Sequence, residues 1–196
     1  NKGMQVINLS DQALIDLYLQ GDESAFSELL KRHQQKIYTS IYLFVKDREL
    51  AEDLFQDVFI KIIDTLRKGS YNHEGKFGQW AIRIAYNMCV DQFRRNKRRT
   101  KVTGGDDFDI FDVLELPDEN REDQMIRSET HNRIRSLVDQ LPDEQREVVV
   151  LRHYADMSFK EISQLTRVSI NTALGRMRYA LINIRKMMEE QAMVLQ

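Results

Sequence analysis

Apolar residues recur every three or four positions along most of this chain, a spacing that predicts amphipathic helices. The clearest run covers residues 47–66, where Leu50, Leu54, Val58 and Ile62 lie four apart. The same spacing predicts helices at residues 9–30 (two short ones), 31–45, 79–99, 124–139 and onward from Pro142. No strand alternation and no βαβ order is visible, so the sequence predicts an all-α fold.

Residues 158–187 have the pattern of a helix-turn-helix. Ser158 with Glu161 three residues later is a capping box, and after a break Ser169 can cap a second helix. Residues 167–186 hold five basic side chains and no acidic one, which suits insertion into a DNA major groove. A hairpin that only completes a core has a similar pattern. Four residues are expected to face the first helix: Thr172, Ala173, Leu181 and Ile184.

Charge is arranged in blocks along the chain. The formal net charge is only −2, so any nucleic-acid surface must be local. Residues 83–101 hold seven basic residues against one acidic, more than a helix dipole requires, and the surplus suits phosphate contacts. Residues 104–123 reverse this with nine acidic residues and one basic. We therefore expect two small helical domains, residues 1–101 and 124–196, joined by a flexible acidic linker at 102–123.

Two further segments allow either a structural or a functional interpretation. Asp53, Gln56 and Asp57 share one side of the predicted helix at 47–66, which is either a solvated side or a surface that docks a basic partner. The glycine-rich segment 67–78 is predicted to be a loop. Its aromatic and amide side chains can hold an extruded base, or they can close the loop over the core.

Catalytic and metal-binding patterns are absent from the sequence. It contains no phosphate-binding glycine loop, the four histidines are dispersed, and Cys89 is the only cysteine. We interpret Cys89 as a buried small residue. No apolar run approaches the roughly 20 residues of a membrane span, which favours a cytoplasmic protein. The sequence therefore predicts a binding protein, not an enzyme, with no cofactor and no metal.

Three segments in order resemble an extracytoplasmic-function (ECF) sigma factor, group IV of the sigma-70 superfamily. Residues 51–60 are similar to the polymerase-docking helix of sigma region 2, and residues 77–95 to the helix that reads and melts the minus-ten element. Residues 141–152 with the helix-turn-helix are similar to region 4, which reads the minus-thirty-five element. The resemblance implies a promoter-specific transcription initiation factor.

The resemblance also assigns residues to partners. It implies that Asp53, Gln56 and Asp57 face the β′ clamp of core RNA polymerase. The implied minus-ten contacts are Asn72, Lys76, Trp80, Arg83, Asn87, Arg94, Arg95 and Arg98. The implied minus-thirty-five contacts are Ser169, Asn171, Thr172, Arg176 and Arg178. Further implied partners are the β flap of the polymerase and an anti-sigma factor, which can be membrane-anchored.

The chain departs from the family pattern at four positions. Arg167 stands in the turn where the family usually has glycine. Because a non-glycine residue at positive φ is strained, the turn is expected to be slightly altered. Leu174 replaces a frequent lysine, Gly175 weakens the helix, and Tyr86 replaces a frequent arginine. Two other interpretations stay open: a stand-alone helix-turn-helix regulator with an N-terminal sensing or dimerisation domain, and, more distantly, a helical enzyme or scaffold.

Overall fold

The computed structural model describes residues 6–72, 75–99 and 132–194, and it describes no side chain at 97–99 or 193–194. The helices in these ranges are α1 (Asp11–Leu19), α2 (Glu23–Val45), α3 (Arg48–Arg67), α4 (Phe77–Arg99), α5 (132–139), α6 (Asp143–His153), α7 (Phe159–Thr166) and α8 (Ile170–Val194). The described ranges contain no strand, and the predicted all-α fold is confirmed. The predicted linker at 102–123 lies outside the described residues.

The Cα positions group the chain into two units. The first unit runs to Arg98 and includes Val150–Ser158, and the second contains Arg99–Val149 and Phe159–Gln196. The predicted domain limits at 101 and 124 fall between the described ranges, so those limits remain predictions.

Side-chain caps start the first three helices at the places expected from the sequence. Ser10 accepts a hydrogen bond from the backbone N–H of Ala13 at 3.2 Å, and Asp47 accepts one from Leu50 at 3.1 Å. Asp22 caps α2 in the same way. The two segments predicted at 23–30 and 31–45 form one continuous helix of 23 residues. The predicted start of α4 is two residues late, because the helix begins at Phe77.

The apolar stripes of α1 to α4 form the core of the first unit. Its fully buried members include Leu14, Leu29, Ile37, Ile41, Val58, Ile62, Ala81, Ile82 and Ala85. Cys89 lies among them at 1% exposure, as predicted. Burial raises the pKa of its thiol to about 12, which keeps the sulfur protonated and unreactive near neutral pH.

The helix-turn-helix of the second unit is confirmed, with one correction to its packing. Ile162 of α7 and Ala173 and Ala180 of α8 are buried. Thr172 is exposed and Leu181 is 50% exposed, so the expectation that both face α7 was wrong. The inward line of α8 runs through Ala173 and, seven residues on, Ala180, which rotates Leu181 about 100° away from it.

We predict that Ile62→Ala lowers the free energy of unfolding of the first unit by about 2–4 kcal/mol, because it leaves a cavity at a fully buried site. Ile60→Ala on the same helix is the control, and its effect should stay below about 0.5 kcal/mol because Ile60 is 65% exposed. Urea unfolding followed by the fluorescence of the single tryptophan, Trp80, measures both. Equal losses from the two variants would contradict the packing of α3.

Candidate nucleic-acid and partner interfaces

The outward side of α3 carries acidic and amide side chains. Asp53, Gln56 and Asp57 are all exposed, which fits a solvated helix side as well as a docking surface. Ile60 and Asp64 continue the same side of the helix, and Ile60 is 65% exposed. An apolar side chain surrounded by carboxylates is the arrangement expected of a surface that binds a basic partner, with burial at its centre and charge at its rim.

The loop between α3 and α4 packs onto the first turn of α4 through aromatic rings. Tyr71 contacts Trp80 with ring centroids 4.6 Å apart, and Phe77 at 6.1 Å. Trp80 is only 9% exposed, so its main contacts are with the loop and the core. Asn72 and Lys76 are exposed beside this cluster. The aromatic rings therefore support the loop, and the side chains of Asn72 and Lys76 face outward.

The phenol of Tyr71 stays a neutral hydrogen-bonding group over the physiological range. Burial raises its pKa to about 12, and the negative charge of Asp11 acts in the same direction. Both effects disfavour the phenolate. Tyr71 thus keeps its proton beside a surface that is expected to meet nucleic acid.

One side of α4 carries the predicted basic stripe. Arg83, Asn87 and Arg94 fall within about 40° of one line along the helix. Arg83 is half-buried, and Asn87, Arg94 and Arg95 are exposed. Arg94 is 3.8 Å from Asp91 in an exposed pair that contributes little and can exchange for a phosphate. The side chain of Arg98 lies outside the described side chains.

The first turn of α8 is held by a cap. The hydroxyl of Ser169 accepts from the backbone N–H of Thr172 at 3.1 Å and lies 2.9 Å from the Thr172 hydroxyl. These two predicted DNA contacts are therefore also structural partners of each other. Asn171 and Arg178 are exposed. All four residues are exposed within the first turns of the predicted recognition helix.

Arg176 differs from the other predicted contacts. Its side chain is 21% exposed and lies 3.5 Å from Glu144 at the start of α6. A contact with DNA would replace that carboxylate by a phosphate. This pairing could not be predicted from the sequence, because the two residues are 32 positions apart and belong to different predicted helices.

The turn between α7 and α8 keeps a left-handed residue at its centre. Arg167 adopts φ 58°, the left-handed conformation that favours glycine. The Ser163 hydroxyl donates to the Val168 carbonyl at 2.6 Å, and the Val168 N–H donates to the Ser163 carbonyl at 3.2 Å. These two bonds hold the turn despite the unfavourable residue at its centre.

The described ranges contain neither a metal-ligand cluster nor a membrane-spanning helix. No group of three or more metal-ligating side chains is assembled there. None of the helices described combines the length and the apolar character needed to cross a bilayer.

Comparison with known proteins identifies the class. Residues 29–99 match the family model of Sigma-70 region 2, and residues 131–178 match that of Sigma-70 region 4. The chain is 30% identical to the RNA polymerase sigma-H factor of Pseudomonas aeruginosa over 170 residues, covering 85% of this chain and 87% of that protein. It is 26% identical to the ECF RNA polymerase sigma factor SigW of Bacillus subtilis, covering 87% and 92%.

A solved structure has the same fold. The sigma factor RpoE from Bartonella quintana, in complex with the anti-sigma factor NepR, matches with a TM-score of 0.56 and 16% identity over 84% of this chain and 96% of that chain. Together with the region 2 and region 4 matches, the relatives show that the chain belongs to the ECF group of the sigma-70 family. It is a promoter-specific transcription initiation factor.

We predict that Arg167→Gly raises the free energy of unfolding of the second unit by about 1 kcal/mol, because glycine removes the left-handed strain. Gln164→Gly, at an exposed position within α7, is the matched control and should lower it by about 0.5–1 kcal/mol. Urea unfolding followed by circular dichroism compares the two. If both glycines destabilise, the turn does not carry the strain assigned to it.

Proposed function

We propose that three surfaces of this sigma factor divide the work of initiation. The outward side of α3 binds core RNA polymerase, the α3–α4 loop with α4 reads the melted minus-ten element, and the first turns of α8 read the minus-thirty-five duplex. The observation that carries the proposal is the exposure of Asp53, Gln56 and Asp57 on a helix whose opposite side is fixed in the core. The polymerase supplies the chemistry, and this chain acts by binding, in the cytoplasm.

For the polymerase, the proposed contact on α3 is the β′ clamp. Carboxylates at 53 and 57 attract a basic helical surface, and this attraction accelerates encounter and selects the partner. Ile60 adds an apolar side chain that gains free energy when the partner covers it. The β flap is the proposed contact of the second unit.

For the minus-ten element, the proposed mechanism is capture of unstacked bases. The exposed amide of Asn72 has donors and an acceptor for the edge of a base, which base pairing hides in the duplex. Lys76, Arg94 and Arg95 neutralise phosphates and give the salt-sensitive share of the affinity. Trp80 contributes indirectly, because its ring packs against Tyr71, the residue next to Asn72. Melting is favoured because only the opened strand satisfies these groups.

For the minus-thirty-five element, α8 is the proposed recognition helix. Asn171, Thr172 and Arg178 are exposed along its first turns, where a major groove admits a helix. Leu174 is 43% exposed in place of a frequent family lysine, so it offers an apolar surface to a thymine methyl instead of a charge to a phosphate. We infer that promoter preference at this position differs from that of relatives with lysine.

An anti-sigma factor is the proposed regulator. The neighbour from Bartonella quintana was solved with one, and α8 presents a suitable apolar stripe. This stripe has large side chains at 43–54% exposure along one side of the helix: Ile170, Leu174, Leu181 and Met188. An amphipathic helix of the regulator that covered the stripe would also block the first turns from DNA.

We predict that Asp53→Arg lowers specific run-off transcription with purified core polymerase by tenfold or more, because reversed charge repels a basic partner. Gln56→Ala should lower it several-fold. Asp16→Arg, an equal charge reversal at an exposed site on α1, should leave it within about twofold. Unchanged output from Asp53→Arg and Gln56→Ala would exclude the docking surface. Equally selective promoter binding without polymerase would instead favour a stand-alone regulator.

We predict that Arg178→Ala weakens binding of the holoenzyme to promoter DNA and reduces the slope of log affinity against log salt by about 1, the loss of one phosphate contact. Arg176→Ala should act in the same direction. Arg133→Ala, at an exposed site on α5, is the control and should leave the slope unchanged. Titrations of fluorescent promoter fragments at several salt concentrations measure the slopes. A slope unaltered by both substitutions on α8 would remove these contacts from the proposal.

A further inference from the structure

His33 joins three helices of the first unit. Its Nε2 lies 2.8 Å from Oδ2 of Asp11, and because a carboxylate only accepts, Nε2 carries the hydrogen and donates it. The imidazole meets the ring of Phe77 edge-on, with centroids 5.1 Å apart. A single side chain of α2 thus connects the first residue of α1 with the first residue of α4.

Gly78 makes room for this histidine. A Cβ at position 78 would lie 3.0 Å from Nδ1 of His33 and 3.2 Å from Cε1, closer than side chains normally approach. The imidazole therefore rests directly against the first turn of α4. A displacement of His33 is transmitted to that turn, and a side chain at 78 would displace His33.

Arg32 fixes the other oxygen of Asp11. Its Nη1 lies 3.2 Å from Oδ1 of Asp11 and donates to the Leu9 carbonyl at 2.6 Å, and its Nη2 donates to the Ile7 carbonyl at 2.7 Å. Asp11, Arg32 and His33 are each 19–25% exposed, so solvent screens this cluster less than a surface ion pair. The carboxylate is held from two sides and cannot turn away from His33 without losing a partner.

The cluster continues to the loop that carries Asn72. Phe77, which packs on His33, also contacts Tyr71, and Tyr71 contacts Trp80. Tyr71 directly precedes Asn72 in the sequence. A continuous set of contacts therefore runs from the start of α1 to the exposed amide.

We propose that Asp11 and His33 are positioning residues for the base-reading loop. They fix the position of the Phe77 and Tyr71 rings, and through Tyr71 the position of Asn72. The inference rests on the proposed reading of an extruded minus-ten base by that loop. Neither residue touches DNA. Their effect is on discrimination between bases, because discrimination requires an amide held in one place, whereas phosphate affinity tolerates movement.

The experiment uses the holoenzyme and templates already melted across the minus-ten element, each with a different base at the position that Asn72 reads. The discrimination ratio is the initiation rate on the best base divided by that on the others. Asp11→Asn should lower this ratio about fivefold, because the amide loses the charge that both Arg32 and His33 bind. Core-polymerase affinity and minus-thirty-five affinity should stay within twofold. Asp16→Asn, on the same helix, is the matched control.

Two further variants separate positioning from folding. His33→Phe keeps a ring against Phe77 but loses the hydrogen bond to Asp11, and Gly78→Ala crowds the imidazole with all polar groups intact. Both should lower the discrimination ratio while the thermal midpoint stays close to that of the wild type. In the double variant of Asp11→Asn with Asn72→Ala, the first substitution should have no further effect on discrimination.

The outcomes distinguish a failure of the positioning role from a failure of the proposed base reading. Wild-type holoenzyme that does not discriminate among the melted templates would overturn the proposed base reading and the positioning role with it. Normal discrimination by the wild type and by Asp11→Asn would overturn the positioning role alone. A loss that is equal on every template, or effects of the two substitutions that multiply independently, would likewise mean that Asp11 and His33 only stabilise the fold.

Discussion

The burial of Leu54, Val58 and Ile62 fixes the rotation of α3, and the rest of the first unit depends on it. Each of these side chains contributes about 1.5–3 kcal/mol by leaving water, far more than any exposed pair on the helix. Rotation by one residue would bury a carboxylate and expose an apolar side chain. The core therefore determines that Asp53, Gln56 and Asp57 face outward, although none of them takes part in packing.

The separation of basic and acidic residues along the chain explains how a protein of net charge −2 can serve as a DNA-binding factor. Positive charge is concentrated on α4 and in residues 167–186, and residues 104–123 hold the densest group of acidic side chains. A free chain with this balance has little general attraction to DNA. The DNA contacts of such a chain therefore have to come from its local basic surfaces.

Rigidity is distributed unevenly between the surfaces that carry these contacts. The first turn of α8 is fixed by the Ser169 cap and by a turn whose central residue is in the left-handed conformation. The α3–α4 loop is instead supported by edge-on contacts of Tyr71 with Trp80 and Phe77 on α4. The backbone hydrogen bonds of a helix hold its side chains in place, whereas a loop depends on packing against neighbouring segments.

Local features were readable from the sequence because each depends on residues within about one helical turn. The helices and the caps at Ser10, Asp47 and Ser169 are of this kind. Periodicity also identified the outward side of α3, since a helix has only one apolar stripe to bury.

Only the tertiary structure decided the contacts between distant segments. The Asp11–His33 pair, the burial of Trp80 beneath Tyr71 and the Arg176–Glu144 pair join residues that no periodicity relates. The rotation of α8 that exposes Leu181 is set by the small residues Ala173 and Ala180, where a close approach is possible. Sequence spacing determines which side of a helix is apolar, but the shape of the neighbouring helix determines which of those residues it covers.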